Sequence, residues 1–323
     1  MRTWKAVVMM VYLVAAAGRA PAQQVVTTIG GLEGVQEVIV DEATNRIYAS
    51  DHSGLAVIDG ATNSLLAIVP AGIAPWGVAL NPMTGRVYVA NQVSGGVTVV
   101  DTTTLTVAGT INPFARASGV VFDAAHNRIY VSQELATLIW IIDAATDAQI
   151  GTIDTGVFRP SLMALDDARG RLYIANNSSG PLVVVDTATN AVVRSYPLPL
   201  GGHFAIDRLH GRLYFTEVET NRVDRIDLNT GDLSFFTVDP APLSYDPLIG
   251  IGYNPNTNHL FVSRALSHNV VMLDPDSFVP LATIRSGDFG IAVNAVTNMV
   301  YACTPRSAAR SCRAIRRRRG TCG

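Results

Sequence analysis

The stretch GRVYVANQVSGGVTVVD, residues 85–101, decides the fold, because close copies of it recur along most of the chain. It contains two apolar runs rich in valine that flank a polar segment with two glycines. Short runs of this kind, bounded by turn residues and without helical periodicity, predict β-strands. Aligning the copies on the aromatic residue that follows an apolar one gives seven positions: Tyr48, Tyr88, Tyr130, Tyr173, Tyr214, Phe261 and Tyr301.

Each copy has the same order of strands and turns. A first strand, such as GVALN at residues 77–81, leads into a turn that opens on Asp or Asn and has Gly or Asn four residues later. The opening side chain can accept a hydrogen bond from the turn backbone, and Gly or Asn tolerates a positive φ. The second strand carries the aromatic residue, which we interpret as packing between sheets.

The third strand ends in an aspartate in six copies, at Asp59, Asp101, Asp143, Asp186, Asp227 and Asp274. Each aspartate opens a second polar turn that leads to a fourth strand. A carboxylate that recurs at the head of a turn in copy after copy predicts a turn cap, not a catalytic or metal-binding group.

The repeat spacing of 40 to 47 residues lies in the range of four-stranded propeller blades. We therefore predict an all-β, seven-bladed β-propeller over residues 23–303. The N-terminal strand Val25 to Ile29 resembles a fourth strand without its first three, so we expect it to complete the last blade. That blade is expected to lack a recognisable third strand, because residues 310–314 read RSCRA where an apolar run is due.

Segments such as RVYVANQVSGGVTVVD and RLYIANNSSGPLVVVD resemble the YVTN-type β-propeller repeat family of exported prokaryotic proteins. The resemblance covers roughly residues 25–303 and implies a fold more than a function. It implies a surface-layer or adhesion-like binding module. Related rings also serve as streptogramin lyases, lactonases and dehydrogenase subunits.

The two chain ends differ from the body in charge. Residues 23–303 contain 14 arginines and 26 acidic residues, a net charge of −12. An acidic body repels phosphate backbones, so we expect no nucleic acid partner for it. Arg2 and Lys5 precede an apolar run and the sequence Ala20-Pro21-Ala22, which predicts a signal peptide over residues 1–22, secretion or periplasmic location, and no transmembrane segment after cleavage.

The tail from residue 304 to 323 is rich in arginine and contains Cys312 and Cys322. We interpret it as a disordered, truncated or out-of-frame end, with a basic arm for anionic surface polymers as the alternative. The cysteines lack the paired spacing of a zinc site. No sequence motif for a metal, haem or other cofactor is present, so none is predicted.

A ligand site is predicted from departures from the repeat at the start of the first strands, which should face the central channel. Four copies have glycine there, whereas Glu37 and His203 stand in two others. Trp76, Arg116 and Arg159 lie next to this position or just before it. We expect the arginines to bind a small anionic or hydroxylated ligand and Trp76 to stack on it. His203 and Glu37 are the candidate catalytic acid and base.

These observations predict an exported module that binds a ligand, a cell-surface polymer or a protein. The alternative is a lyase or lactonase with its site in the channel, which would depend on His203 and Glu37.

Overall fold

The computed structural model describes residues 7–12, 25–112, 115–176, 180–198, 201–238, 246–285, 289–303 and 312–315. Over these ranges the chain is all-β, and no helix that could span a membrane is found in them. The predicted cleavage site after Ala22 lies outside the described residues, as do residues 304–311 and 316–323 of the tail.

Six antiparallel sheets of four strands form blades 1 to 6. In each blade the strands follow one another in chain order. Blade 1 consists of β3 Val35–Asp41, β4 Arg46–Asp51, β5 Gly54–Asp59 and β6 Ser64–Val69. Blade 2 consists of β7 Pro75–Asn81, β8 Arg86–Asn91, β9 Val97–Asp101 and β10 Thr106–Ile111. Blade 3 consists of β11 Ala117–Asp123, β12 Arg128–Gln133, β13 Leu138–Asp143 and β14 Gln149–Asp154. Blade 4 consists of β15 Pro160–Asp166, β16 Arg171–Asn176, β17 Leu182–Asp186 and β18 Ala191–Tyr196. Blade 5 consists of β19 Gly201–Asp207, β20 Arg212–Glu217, β21 Arg222–Asp227 and β22 Leu233–Thr237. Blade 6 consists of β23 Leu248–Asn254, β24 His259–Arg264, β25 Asn269–Leu273 and β26 Pro280–Arg285.

The prediction of seven four-stranded blades is wrong, because the structure has six. The remaining strands form a five-stranded sheet, which we call the terminal sheet: β1 Val7–Tyr12, β2 Val25–Gly30, β27 Ile291–Asn294, β28 Met299–Ala302 and β29 Cys312–Ile315. Its order is β1-β2-β29-β28-β27. The last repeat keeps its sequence pattern for only two of these strands, β27 and β28, since the apolar pattern stops where the third strand would begin.

The terminal sheet also corrects the expectation that the last repeat lacks a third strand. The short strand β29, from the arginine-rich tail, lies between β28 and β2. Strand β1, within the predicted signal peptide, pairs with β2 and with β28. Backbone pairing does not require an apolar side-chain pattern, so the sequence pattern alone did not reveal these strands.

The first strands line the axis of the molecule. Each contacts the first strand of the next blade, and β27 contacts both β23 of blade 6 and β3 of blade 1. Side-chain bonds strengthen this last junction, since the Asn294 amide donates to Asn45 Oδ1 at 2.8 Å and the Ala295 N–H donates to Glu42 Oε1 at 2.7 Å. The circuit of first strands is therefore closed.

The predicted turn chemistry is confirmed. Asp101 Oδ1 accepts hydrogen bonds from the N–H groups of Thr103 and Thr104, both at 2.8 Å, and the other five aspartates make the same pair of bonds. These bonds lower the pKa of the Asp101 carboxyl. The Gly or Asn of the first turn has φ between 50° and 65° in every copy. The seven aligned aromatic residues are all buried, as the packing interpretation requires.

The two ends of the ring therefore differ. We call the end with the aspartate-capped turns the turn face. The other end carries the loops between second and third strands and the connections between blades, and we call it the mouth face. Strand direction dictates this division, because antiparallel neighbours place alternate connections at opposite ends.

Candidate ligand-binding site

A β-bulge recurs near the start of the first strand in all six blades. The pairing register shifts by one residue at the same place, for example between Val35 and Val38 and between Gly201 and Phe204, so that two residues of the first strand lie opposite one residue of the second. Bulges re-aim side chains next to functional sites. Glu37 and His203 are the second residues of their bulges, so the register confirms that they occupy equivalent positions in blades 1 and 5.

Three of the six blades, and the last repeat, have glycine at this position because neighbouring first strands approach closely there. A Cβ on Gly77 would overlap the Ser118 carbonyl oxygen of the next blade, and a Cβ on Gly250 would overlap that of Phe289. Glu37, Leu162 and His203 are the side chains found in this column, and all three line one cavity. The glycines are thus explained by packing, and the exceptions mark the cavity.

The central cavity has a volume of about 420 Å³ and lies along the first strands. Its walls come from blades 1, 4, 5 and 6 and from β27, and they consist mainly of valine, isoleucine, alanine and methionine side chains. The polar side chains in the lining are Glu37, His203, Arg208 and Tyr253. More than half of the surface that the cavity exposes is nevertheless polar, so it offers several convergent polar groups to a small ligand.

Glu37 is held at the wall of the cavity by its neighbours. The Val78 N–H of blade 2 donates to its Oε2 at 3.0 Å, while its own N–H donates to Ser50 Oγ at 2.9 Å. Burial raises the pKa of the Glu37 carboxyl from 4.5 to about 7, and the Val78 hydrogen bond only partly opposes this. Near neutral pH the group therefore exchanges a proton, and in its neutral form Oε1 can donate a hydrogen bond into the cavity.

His203 is neutral at the same pH. Burial lowers the pKa of its imidazole from 6.5 to about 4, so the ring presents one donor and one acceptor nitrogen. The ring contacts Phe289 edge to face, with centroids 5.8 Å apart. The cavity thus combines a carboxyl whose pKa is raised with an imidazole whose pKa is lowered.

Phe289 lies at the mouth of the channel and contacts two of the predicted site residues. Its ring meets Trp76 edge to face at 6.2 Å, as well as His203. Its backbone is fixed, since the Phe289 N–H donates to the Cys303 carbonyl at 2.9 Å and the Phe289 carbonyl accepts from Ser263 Oγ at 2.7 Å. Trp76 therefore packs on Phe289 and is not part of the cavity lining.

Arg116 and Arg159 lie at another place on the mouth face. Both guanidinium groups contact the carboxylate of Glu134, which is 2% exposed; Arg116 Nη1 is 3.5 Å from Glu134 Oε2, and Arg159 Nη2 donates to Oε1. Gln92 Nε2 donates to the same carboxylate at 3.1 Å. The five predicted residues thus lie at three places. Glu37 and His203 line the cavity, Trp76 packs on Phe289 beside it, and the two arginines contact Glu134.

Sequence reasoning did not single out Phe289 or Glu134. When the repeats are aligned, Phe289 occupies the position just before the bulge residue, where other repeats have Gln36, Ser118 or Gly202. Its large aromatic side chain could therefore have indicated a special role. Glu134 follows a second strand, and nothing in the local pattern indicates that two arginines from neighbouring blades reach it. That meeting depends on the ring.

A second cavity of about 460 Å³ lies between blades 4 and 5. Its arginines are largely paired: Arg169 Nη1 is 3.1 Å from Asp166 Oδ2, and Arg171 Nη1 is 2.5 Å from Asp186 Oδ2. We therefore regard the central cavity as the better candidate. Among the residues that the structure describes, no group of three or more His, Cys, Asp or Glu side chains could hold a metal ion.

Comparison with solved structures finds the same β-propeller fold. Hydrazine Synthase of Kuenenia stuttgartiensis matches with a TM-score of 0.75 and 17% identity over 92% of this chain and 99% of that chain. The Cps50 (Swd1) β-propeller domain of Myceliophteria thermophila matches with a TM-score of 0.73 and 10% identity over 88% of this chain and 96% of that chain. Identities this low show the fold alone. No family model and no curated protein matches the sequence.

Proposed function

We propose that the protein is a binding propeller whose central cavity holds a small ligand through one hydroxyl or carbonyl group. The observation that carries the proposal is the presence of Glu37 and His203 in one cavity. Its volume of about 420 Å³ lies within the range of small-molecule sites. A neutral carboxyl and a neutral imidazole together can donate to and accept from a single polar group.

The same environment favours a hydroxylated ligand over an anionic one. An anion in the cavity would lose hydration without gaining a counter-charge from Glu37 or from the neutral His203. Arg116 and Arg159, which were predicted to bind an anion, do not line the cavity and contact Glu134. At the opposite end of the cavity, Arg208 Nε is 2.9 Å from Asp167 Oδ1, so that cation is also paired.

Binding can be tested by titration calorimetry with phenol, benzyl alcohol, benzoate and phenyl phosphate. We expect the neutral compounds to bind and the anions to bind at least about tenfold more weakly, because the anions lose hydration. His203→Leu should weaken binding of the neutral compounds, whereas the control His126→Gln, in a turn outside the cavity, should not. Equal binding of neutral and anionic compounds, or no effect of His203→Leu, would contradict the proposal.

A second candidate is acid–base catalysis in the same cavity, in the manner of a propeller lyase or lactonase. The specific observation is that burial raises the pKa of Glu37 and lowers that of His203, which separates an acid from a base near neutral pH. Hydrolysis of dihydrocoumarin should then show a bell-shaped pH profile that both Glu37→Gln and His203→Gln abolish. Hydrolysis that persists in both variants would reject this function.

We further propose that the protein is exported and belongs to the YVTN-type propellers, acting as a binding or scaffold module in the periplasm or at the cell surface. Export is supported by the basic residues, the apolar run and the small residues within residues 1–22. The family is supported by the repeat sequences. Intact mass of protein recovered outside the cytoplasm should correspond to a chain that begins at Gln23. A mass that includes Met1 would contradict cleavage.

A further inference from the structure

Large apolar side chains are exposed on one side of the mouth face. Ile73 is 65% exposed, Val93 58%, Leu135 53% and Phe158 52%. They belong to loops of three consecutive blades, 2, 3 and 4. In the described loops of the rest of this face, Leu266 is the other large apolar side chain with such exposure. Monomeric proteins rarely concentrate exposed apolar residues without a binding role.

Direct bonds between the loops make these residues one surface. The Val93 N–H donates to the Ile73 carbonyl at 3.1 Å, and the Arg159 N–H donates to the Ala136 carbonyl at 3.0 Å. The Gln92 side chain of blade 2 donates a hydrogen bond to Glu134 of blade 3. Glu134 in turn contacts Arg159, which directly precedes the first strand of blade 4. We call this surface the loop patch; it consists of Ile73, Val93, Arg116, Leu135, Phe158 and Arg159.

The loop patch carries positive charge on an acidic protein. Arg116 and Arg159 share the single carboxylate of Glu134, whose side chain is 3% exposed while theirs are 48% and 36% exposed. Two guanidinium groups on one carboxylate leave one positive charge facing solvent. Asp154 stands at the outer edge of blade 3, where its carboxylate accepts from the Gly156 N–H at 3.0 Å. By contrast, residues 23–303 carry a net charge of −12.

The backbone holds the two arginines in place. Arg116 has φ 53° and Arg159 has φ 65°, a region that residues other than glycine and asparagine seldom adopt. Each lies directly before a first strand, and Ala74 at the equivalent position of blade 2 has φ 56°. The buried Glu134 carboxylate contacts both guanidinium groups and so restrains the two arginine side chains. An arginine that is already ordered loses less entropy when it pairs with a partner.

We infer that the loop patch docks a segment of a partner protein in which a carboxylate stands between large apolar side chains. The apolar residues would be buried against Ile73, Val93, Leu135 and Phe158, which supplies the main stabilisation. The carboxylate would pair with the exposed donors of Arg116, whose contact with Glu134 at 3.5 Å is long for a hydrogen bond. This surface is separate from the central cavity, so the inference does not depend on the proposed ligand.

The test uses pairs of short fluorescein-labelled peptides with one Glu, or one Gln in its place, flanked by Leu and Phe. Fluorescence polarisation with the intact protein measures their affinities. We expect the Glu peptide to bind at least about fivefold more tightly than the Gln peptide, and Arg116→Gln to remove this preference. Leu135→Ser should weaken both peptides by about tenfold.

Leu209→Ser is the matched control, because Leu209 is 74% exposed on the turn face and outside the patch. It should leave both affinities unchanged. The melting temperature of each variant is measured, and only variants that melt at the wild-type temperature are compared. Equal affinity of Glu and Gln peptides, or an effect of Leu209→Ser as large as that of Leu135→Ser, overturns the inference. So does binding of phosphatidylglycerol vesicles through the patch without binding of peptides, which would assign the surface to a membrane.

Discussion

Replacing Glu37 with glutamine should make the stability of the protein less dependent on pH. The amide has nearly the shape of the carboxyl and can still accept the Val78 N–H, now 3.0 Å from Oε2. Burial raises the pKa of Glu37 from 4.5 to about 7. Between these values the unfolded chain has released its proton while the folded protein still binds it. The stability of the wild type therefore falls as the pH rises from about 4.5 to about 7.

The size of the effect follows from the displacement of the pKa. At about 1.4 kcal/mol for each pH unit, the full displacement corresponds to roughly 3 kcal/mol of stability at pH 8. Because the Glu37 side chain keeps partial access to the cavity, solvent screens part of this effect, and we expect a change in stability of about 2 kcal/mol. Glu37→Gln should gain this amount relative to the wild type when the pH is raised from 5 to 8, because the variant has no proton to lose.

Urea unfolding at several values between pH 5 and 8 measures the difference between the two proteins. Other groups that titrate in this range, among them Asp224, His203 and His259, are present in both proteins and cancel from the difference. Burial raises the pKa of Asp224, which lies beside Glu217, so stability again falls with rising pH; burial lowers the pKa of His203, so stability is lost as the pH falls from 6.5 towards about 4. Glu33→Gln, at an exposed carboxylate nearby, is the control. A difference that stays constant with pH would refute the reasoning.

Three further predictions concern access to the cavity, contacts between blades and turns. Phe289→Ala should expose the Trp76 ring at the mouth and increase acrylamide quenching of its fluorescence in a background that carries Trp4→Phe and Trp140→Phe; unchanged quenching would show that Phe289 does not cover it. Ser132→Ala removes a hydroxyl that donates to the Ser161 carbonyl of the next blade at 2.7 Å, so chemical unfolding should show a loss of about 2 kcal/mol, and an unchanged midpoint would count against this bond. Asp101→Ala should lower the melting temperature by a few degrees, whereas Asp101→Asn, which can still accept the turn bonds, should not.

Much of each blade was predictable because it depends on contacts between residues close in the chain. Asp101 caps the turn formed by the next three residues, and Gly85 supplies the positive φ of its own turn at 63°. Such interactions require only a residue type at a fixed spacing. The aromatic of the second strand repeats for a different reason: each blade buries it against the neighbouring blade, so the same packing position recurs in every copy.

The number of four-stranded blades was predicted wrongly for the opposite reason. The last repeat retains the pattern for two strands, β27 and β28, and then loses it. Which segments pair with the exposed edge of β28 depends on which backbones reach it in space. Strands β1 and β29 occupy that region together with β2, and unlike β2 their sequences carry no repeat pattern that predicts the pairing.

The candidate site shows the same division. The sequence by itself determined the propeller blades, their turns and the positions at which Glu37 and His203 depart from the glycine column. Only the tertiary structure decided that these two side chains share a cavity, that Phe289 stands between His203 and Trp76, and that Arg116 and Arg159 contact Glu134. A turn is specified by neighbours in the chain, whereas a site at the axis is formed by residues from different blades, whose approach depends on ring geometry and packing.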